Sequence, residues 1–166
     1  MQIRSLTQKD WLIWKKIRLE ALKDSPENFG SAHEEESNWK GSDFRNSLQK
    51  NNIFGAFINH ELIACAGFYK MNSLKTKHRG VIWGVYTQPE HRLKGASNSL
   101  IEAIIIHAKE HVIQIHLTCV TTNLGAIKLY QKHGFLIYGT EPRSLKIDDI
   151  FFDEHLMIFV FNKDSQ

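Results

Sequence analysis

Cysteine and proline are both scarce in this sequence of 166 residues, which contains two cysteines and three prolines. Cys65 and Cys119 lie far apart inside apolar runs, without the close Cys or His spacing that holds a structural zinc ion. The sequence therefore argues against a disulfide framework and against a metal site. We expect two buried thiols in a reducing compartment.

Long apolar runs are absent as well. No stretch approaches the ~20 apolar residues of a membrane span, and the first residues, MQIRSLTQKDW, lack the apolar core of a signal peptide. We expect a cytoplasmic protein that does not bind membranes. The sequence also lacks a long run of like charges. Its net charge is +3, and its Lys and Arg residues are scattered among acidic residues. Nucleic-acid binding is therefore an alternative without support.

The remaining composition, 42% hydrophobic and 23% charged residues, is that of an ordinary globular protein. The length suits one domain, and the chain shows no internal repeat, low-complexity segment or linker. We therefore predict a single domain over residues 1–166.

Apolar residues recur with the period of strands in seven segments. The predicted strands are 2–6, 53–58, 62–70, 81–87, 111–120, 135–140 and 150–161. Asn59-His60 has the length and chemistry of a tight hairpin turn between the second and third strands. The fourth strand is expected to run antiparallel to the third.

The first helix is predicted from the N-cap Thr7 to about residue 23. Its apolar residues are predicted to form one buried stripe of Ile13, Trp14, Ile17 and Ala21. The acid-rich segment 32–49 then predicts either two short helices or a helix and a loop.

Two further helices alternate with the later strands. One follows a turn at 89–99 and ends near residue 110, and the other is capped by Thr122-Asn123 and ends at Gly134. A strand-helix-strand-helix unit among antiparallel strands predicts an α+β fold, with a mixed sheet and helices on both faces.

The turn PEHRLKGASNSL, residues 89–100, leads into the predicted helix with small and basic residues. A helix N-terminus presents unpaired N–H groups and a partial positive charge, so it can hold an anion such as phosphate. Gly95 allows the backbone to approach a ligand closely, while Arg92 and Lys94 add positive charge. The turn matches neither a Walker loop nor a dinucleotide-binding loop, and a basic loop that merely caps a core helix is the alternative.

A second motif follows in NLGAIKLYQKHGF, residues 123–135. Asn123 and Tyr130 are seven residues apart, about two helical turns, and therefore lie on one face of the predicted helix. One small ligand could contact both side chains.

Together the two motifs resemble those of the GNAT superfamily of acyl-CoA-dependent N-acyltransferases. The phosphate turn of that family reads Arg/Gln-x-x-Gly-x-Gly/Ala after a strand ending Val-x-Pro, which stands here as Thr87-Gln88-Pro89 and 92–97. The second motif, Asn-x-x-Ala-x-x-Leu-Tyr-x-x-x-Gly-Phe, is matched at every named position. Ser97 in place of the last Gly/Ala and Thr87 in place of Val are the two departures.

The resemblance covers the order of elements from Gln2 to Phe161. It implies a GNAT fold of about seven strands, mostly antiparallel, and about four helices. The two parallel strands, 81–87 and 113–120, would splay apart to admit acetyl-CoA as cosubstrate. By the same resemblance, the cofactor-binding residues are Val85, Tyr86, Thr87, Arg92, Leu93, Lys94, Gly95, Ala96, Ser97, Asn123 and Tyr130.

The resemblance also implies direct transfer of an acetyl group to a primary amine in a ternary complex, with Tyr130 giving the departing thiolate its proton. A backbone N–H at the end of strand 81–87 is the expected donor to the thioester carbonyl. The candidate bases are His78, Glu34 to Glu36, Asp148, Asp149, Asp153 and Glu154. Glu34 to Glu36 either shape a pocket for a cationic acceptor or form a solvated acidic face.

The acceptor, the acyl length and the base are not determined by the sequence, and a homodimer is left open. A GNAT fold that binds acyl-CoA as a sensor, without turnover, is the alternative function.

Overall fold

Seven strands form one mixed sheet in the computed structural model, which describes residues 1–161. The strands are β1 (Gln2–Ser5), β2 (Asn52–Ile58), β3 (Glu61–Lys70), β4 (Arg79–Thr87), β5 (Gln114–Val120), β6 (Leu136–Ile147) and β7 (Ile150–Val160). Their order across the sheet is β1-β2-β3-β4-β5-β7-β6. Every neighbouring pair is antiparallel except β4 and β5, which are parallel. The predicted mixed sheet is confirmed.

Helices cover the two faces of this sheet. They are α1 (Trp11–Asp24), α2 (His33–Ser37), α3 (Gly41–Lys50), α4 (Ala96–Lys109) and α5 (Leu124–Lys132), with 3-10 turns at Gln8–Asp10, Pro26–Asn28 and Pro89–His91. Buried side chains of α1 and α3 form one apolar cluster with the sheet, and those of α4 and α5 form a second. The segment 32–49 contains two short helices, the first of the two alternatives.

Two turns have the backbone conformation that their residues predict. Asn59 and His60 both have positive φ, 48° and 68°, as a tight two-residue hairpin between β2 and β3 requires. Gly134 follows α5 with φ 92°, the left-handed conformation in which helices commonly end.

The start of the first helix differs from the prediction. Thr7 precedes a 3-10 turn rather than an α-helix, and α1 begins at Trp11. Asp10 holds this turn, because its carboxylate accepts hydrogen bonds from Thr7 N at 2.7 Å and from Arg4 Nη2 at 2.8 Å. The α-helix therefore begins only after Asp10.

The predicted buried stripe of α1 is wrong at Ile13, which is 40% exposed. Trp14, Ile17 and Ala21 are buried as predicted. Because α1 packs against both the sheet and α3, its buried face is turned away from Ile13 and takes in Leu22 instead.

Strand β5 begins later than predicted, at Gln114, because the backbone N–H groups of His111 and Val112 still bond to Ala108 O at the end of α4. Strand β6 continues past the predicted end, to Ile147. Pro142, which cannot donate a ladder hydrogen bond, lies in an irregular stretch of its pairing with β7. The proline therefore interrupts the strand pattern without ending the strand.

No helix within residues 1–161 has both the length and the apolar character needed to cross a bilayer.

Candidate functional site

The parallel strands β4 and β5 pair over a short distance and then separate. Their register consists of Arg79↔Gln114, Gly80↔Ile115 and Val81↔His116. Beyond Val81, the edge of β4 that faces β5 has no β5 partner, while its other edge stays paired with β3 as far as Thr87. This divergence is the splay that the resemblance implies, and it leaves an edge of β4 beyond Val81 that is not paired with β5.

An extra residue distorts β4 where the strands separate. Gly67 pairs with Trp83 and Cys65 pairs with Tyr86, so two residues, Gly84 and Val85, lie opposite Ala66. Gly84 has φ 61°, a conformation that favours glycine. Such a bulge turns the backbone groups of the strand away from the ladder.

A cleft of about 610 Å³ opens between the separated strands, the turn before α4, and α5. This volume is in the range of small-molecule and cofactor sites. The predicted cofactor-binding residues that line it are Val85, Tyr86, Thr87, Arg92, Leu93, Gly95, Ala96, Ser97, Asn123 and Tyr130. The structure therefore brings both sequence motifs to one space.

The turn before α4 is shaped by two residues of positive φ. Leu93 has φ 61°, and Gly95, the N-cap of α4, has φ 88°. A Cβ built at Gly95 would meet no atom within 4 Å, so the space beside this residue is open. The first N–H groups of α4 face an accessible site, as an anion at a helix N-terminus requires.

The two basic residues of the turn are engaged by protein partners. Lys94 does not line the cleft, and its Nζ donates to Glu90 O at 2.8 Å. Arg92 lines the cleft, donates from Nε to Thr87 O at 3.1 Å and forms an ion pair with Asp24 of α1. Arg92 is thus oriented by the end of α1, whereas Lys94 bonds within the turn itself.

The two departures from the family motif contact each other. Thr87 Oγ1 and Ser97 Oγ are 2.8 Å apart and form a hydrogen bond between the end of β4 and the first turn of α4. Thr87 is 8% exposed, so its hydroxyl needs a partner, and Ser97 supplies it.

We expect the Thr87–Ser97 pair to act as a unit in stability. Replacing Thr87 with valine or Ser97 with alanine should each cost about 0.5–1.5 kcal/mol, and the double replacement should cost less than the sum. Thermal denaturation of the four proteins measures this coupling. Additive effects would show that the hydrogen bond contributes nothing.

Asn123 and Tyr130 approach the cleft from α5. Asn123 is the N-cap of this helix: its Oδ1 accepts from Ala126 N at 3.1 Å, and its Nδ2 donates to Asn28 Oδ1 at 2.9 Å. Tyr130 is 6% exposed and packs edge-on against Phe135. Asn123 therefore joins the start of α5 to the loop that follows α1.

Burial raises the pKa of both Tyr130 and its neighbour Cys119. Burial, and to a smaller extent the neighbouring Cys119 thiol, raise the pKa of Tyr130. Burial and the Glu154 carboxylate raise the pKa of Cys119 to about 12. Both groups thus hold their protons at neutral pH, so the tyrosine is a potential proton donor and the cysteine is a weak nucleophile.

A family model described as the acetyltransferase (GNAT) family matches residues 14–135. The chain belongs to the GNAT family. No curated protein matches the sequence.

Solved structures share the GNAT fold at low identity. An acetyltransferase of the GNAT family from Streptococcus pneumoniae has a TM-score of 0.86 at 22% identity, over 96% of this chain and 99% of that one. The structure of yncA from Salmonella typhimurium, with its cofactor acetyl-CoA, has a TM-score of 0.84 at 15% identity, over 100% and 96%. A ribosomal-protein-alanine N-acetyltransferase from Brucella melitensis has a TM-score of 0.76 at 19% identity, over 97% and 100%.

Further residues that were not predicted as site residues also line the cleft of this GNAT protein. Lys128 and Lys132 line it from α5, and both lie inside the second motif, where their spacing of four residues gives a signal of a shared face. Phe29 and Trp83 line it from the loop after α1 and from β4. No sequence signal marks Phe29, since it reaches the cleft only through the packing of α1.

The candidate bases lie outside this lining. Glu36 is buried in an ion pair with Arg18, and Glu35 accepts a hydrogen bond from Ala32 N at 3.1 Å. Glu154 is 9% exposed and accepts from Ser144 Oγ at 2.6 Å. The remaining candidates are on the surface: Glu34, His78, Asp148, Asp149 and Asp153. The acidic segment 34–36 is thus partly a structural element of the α1–α2 packing.

Proposed function

We propose that this GNAT protein transfers the acetyl group of acetyl-CoA to a primary amine of a small molecule or polypeptide. One observation carries the proposal: the free edge of β4, the left-handed turn before α4 and Tyr130 all face one cleft. An acyl-CoA substrate needs these three features, because its arm, its pyrophosphate and its sulfur must be held together.

The fit of the cleft to coenzyme A follows from its parts. The unpaired edge of β4 at Val85 to Thr87 offers backbone groups to the amide-bearing pantetheine arm, as a sheet edge does to an added strand. The turn 92–97 offers N–H groups to the pyrophosphate, with the open space at Gly95 allowing close approach. Lys128 and Lys132 add positive charge near the phosphates.

The chemical step needs a polarised carbonyl and a proton for the thiolate. The bulge at Gly84 and Val85 turns a backbone N–H out of the ladder, where it can stabilise the oxyanion. Tyr130 supplies the proton, and its raised pKa keeps the hydroxyl protonated until it is used. Position matters more than acidity here, because a phenol is a weaker acid than the departing thiol.

We assign deprotonation of the amine to no protein side chain: the acceptor either binds as the neutral amine or loses its proton to water. Among the described residues that line the cleft there is no Asp or Glu, and the lining imidazole, His91, belongs to the turn near the pyrophosphate end. A peptide α-amine is neutral in about a tenth of molecules at pH 7, but a lysine amine in only about one in several thousand. Amines of lower pKa are therefore favoured.

The proposal is tested by thiol release from acetyl-CoA with a panel of primary amines, followed with a thiol-reactive dye. We expect acetyl-CoA to raise the melting temperature and at least one amine to release thiol. A large thermal shift without release from any amine would instead support a sensor. Salt-dependent RNA or DNA binding that acetyl-CoA leaves unchanged would support a nucleic-acid binder.

We expect Cys119→Ala to keep turnover within about three-fold, because direct transfer needs no enzyme thiol. Cys119 lines the cleft and is therefore the cysteine in position for a covalent intermediate, but its pKa of about 12 makes it a poor nucleophile. Steady-state kinetics check this result. Loss of turnover together with acetylation of Cys119 in the unsubstituted enzyme, seen by mass spectrometry, would establish a covalent route.

A further inference from the structure

Arg18 of α1 is buried, 4% exposed, although a guanidinium stays charged in proteins. Its Nε and Nη2 donate to the two carboxylate oxygens of Glu36, at 2.9 and 2.6 Å. Its third nitrogen, Nη1, is buried and has no hydrogen-bond partner among residues 1–161. A buried charged donor without a partner is costly, so this position is suited to an acceptor atom.

The guanidinium lies against the wall of the cleft. Its Cζ is 5.4 Å from the ring centroids of both Phe29 and Trp83, and both of these residues line the cleft. Nη1 would lie 3.3 Å from a Cβ built at Gly84, which also lines the cleft. The unpartnered nitrogen therefore lies over Gly84, where no side chain separates it from the backbone of β4.

The chemistry of Nη1 limits the ligand. A guanidinium donates hydrogen bonds and cannot accept them, so a ligand that satisfies Nη1 must present acceptor atoms. A carboxylate has two acceptor oxygens, and its charge suits the guanidinium. Trp83 Nε1 is also buried without a partner among residues 1–161, but it lies over Gly67 of β3, 2.6 Å from a Cβ built there.

We propose that Arg18 binds the carboxylate of the acceptor, so that the substrate is a small amine carrying a carboxylate, such as a free α-amino acid. This inference rests on the proposed function. The amine and the carboxylate of an α-amino acid are joined through one carbon atom. A carboxylate held at Arg18, beside Gly84, therefore places the amine next to the bulge that faces the thioester carbonyl.

The charges of the cleft agree with this substrate class. No Asp or Glu among the described lining residues offers a site for a second cationic group. A polyamine or a lysine-rich peptide would bring uncompensated positive charge into the cleft, whereas an α-amino acid carries its own anionic group. Glu36 cannot serve a cation, because both of its oxygens are bound by Arg18.

The test compares each of several amino acids with its decarboxylated amine and with its amide, for example phenylalanine, phenethylamine and phenylalaninamide. The kcat/KM values are corrected for the neutral fraction of each amine. We expect the amino acid to exceed the decarboxylated amine by at least about ten-fold, since a hydrogen bond to a buried charge is lost. Equal values for the two, with thiol release intact, would overturn the inference and leave the proposed function standing.

A matched variant assigns the effect to Arg18. Replacing both members of the ion pair, Arg18→Met with Glu36→Met, avoids leaving one charge buried alone. We expect the preference for the amino acid over the decarboxylated amine to fall toward unity while acetyl-CoA affinity is kept. Arg45→Met is the control, because Arg45 also stacks on an indole, that of Trp11 at 5.1 Å, but outside the cleft.

The outcomes separate the two levels of the proposal. If the amide has the same kcat/KM as the amino acid, the acceptor is better described as a peptide N-terminus, and the carboxylate assignment is overturned. A preference that survives in the double variant would show that Arg18 does not bind the carboxylate. If none of the amines tested causes thiol release, the proposed function itself is overturned, and this inference with it. If the double variant does not fold, the comparison of substrates with the native enzyme still decides.

Discussion

Gly95→Val is expected to weaken acetyl-CoA binding by about 100-fold or more, through loss of several hydrogen bonds to the charged pyrophosphate. Gly95 is the N-cap of α4 with φ 88°. A β-branched residue is strongly disfavoured there, so the turn must change its conformation and carry the N–H groups away from the ligand. Isothermal titration calorimetry with acetyl-CoA measures the loss directly.

The open surroundings of Gly95 keep this experiment interpretable. A Cβ at this position meets no atom within 4 Å, so valine does not disturb the core, and the far-ultraviolet circular dichroism should stay native. Gly95→Asn is the matched control, because asparagine tolerates the left-handed conformation better than valine does. Its affinity should lie between those of the native protein and of the valine variant. Native affinity in Gly95→Val would exclude the turn as the pyrophosphate site.

The parts of the fold that were predictable depend on local residues. Asn59-His60 and Gly134 take the conformations that their types favour, and the apolar alternation of β5 survives in the buried side chains of Ile115, Leu117 and Cys119. The predicted burial of Ile13 was wrong, because the exposure of this residue depends on how α1 packs between the sheet and α3. Periodicity fixes the width of a buried stripe but not the rotation of the helix against its neighbours.

The candidate site likewise has a part that local residues predict and a part that depends on contacts between distant elements. Its two motifs were predictable, since each is a run of neighbouring residues. The ion pair of Arg92 with Asp24 joins residues on different elements, and so does that of Arg18 with Glu36. A charge pattern along the chain does not reveal such pairs. From the sequence, the acidic segment 34–36 is therefore interpreted as either a pocket for a cation or a solvated acidic face, whereas its buried member, Glu36, forms an ion pair with Arg18.

The mutual contact of Thr87 and Ser97 changes how departures from a motif should be weighed. Taken singly, each substitution adds a polar group at a position that the family fills with a small or apolar residue. Taken together, they form one hydrogen bond between β4 and α4. Two departures that satisfy each other are compatible with a working site, and only the fold shows that they meet.

Tyr130→Phe is expected to lower kcat by at least ten-fold, because general acid catalysis commonly contributes 10²–10⁴-fold. Acetyl-CoA affinity should change little, since the phenyl ring keeps its edge-on packing with Phe135. Stability should also be kept, because the substitution removes only the hydroxyl and leaves the buried ring in place. Single-turnover kinetics and calorimetry together separate the chemical step from binding.

The pH dependence adds a second readout for Tyr130. A general acid acts in its protonated form, and a raised pKa moves the loss of that form to higher pH. The native enzyme should therefore show no fall in kcat up to about pH 10, the ordinary pKa of tyrosine. Tyr69→Phe, on a partly exposed residue of β3, is the control and should retain native kcat. An unchanged rate in Tyr130→Phe would remove this hydroxyl from the mechanism and assign the proton to water.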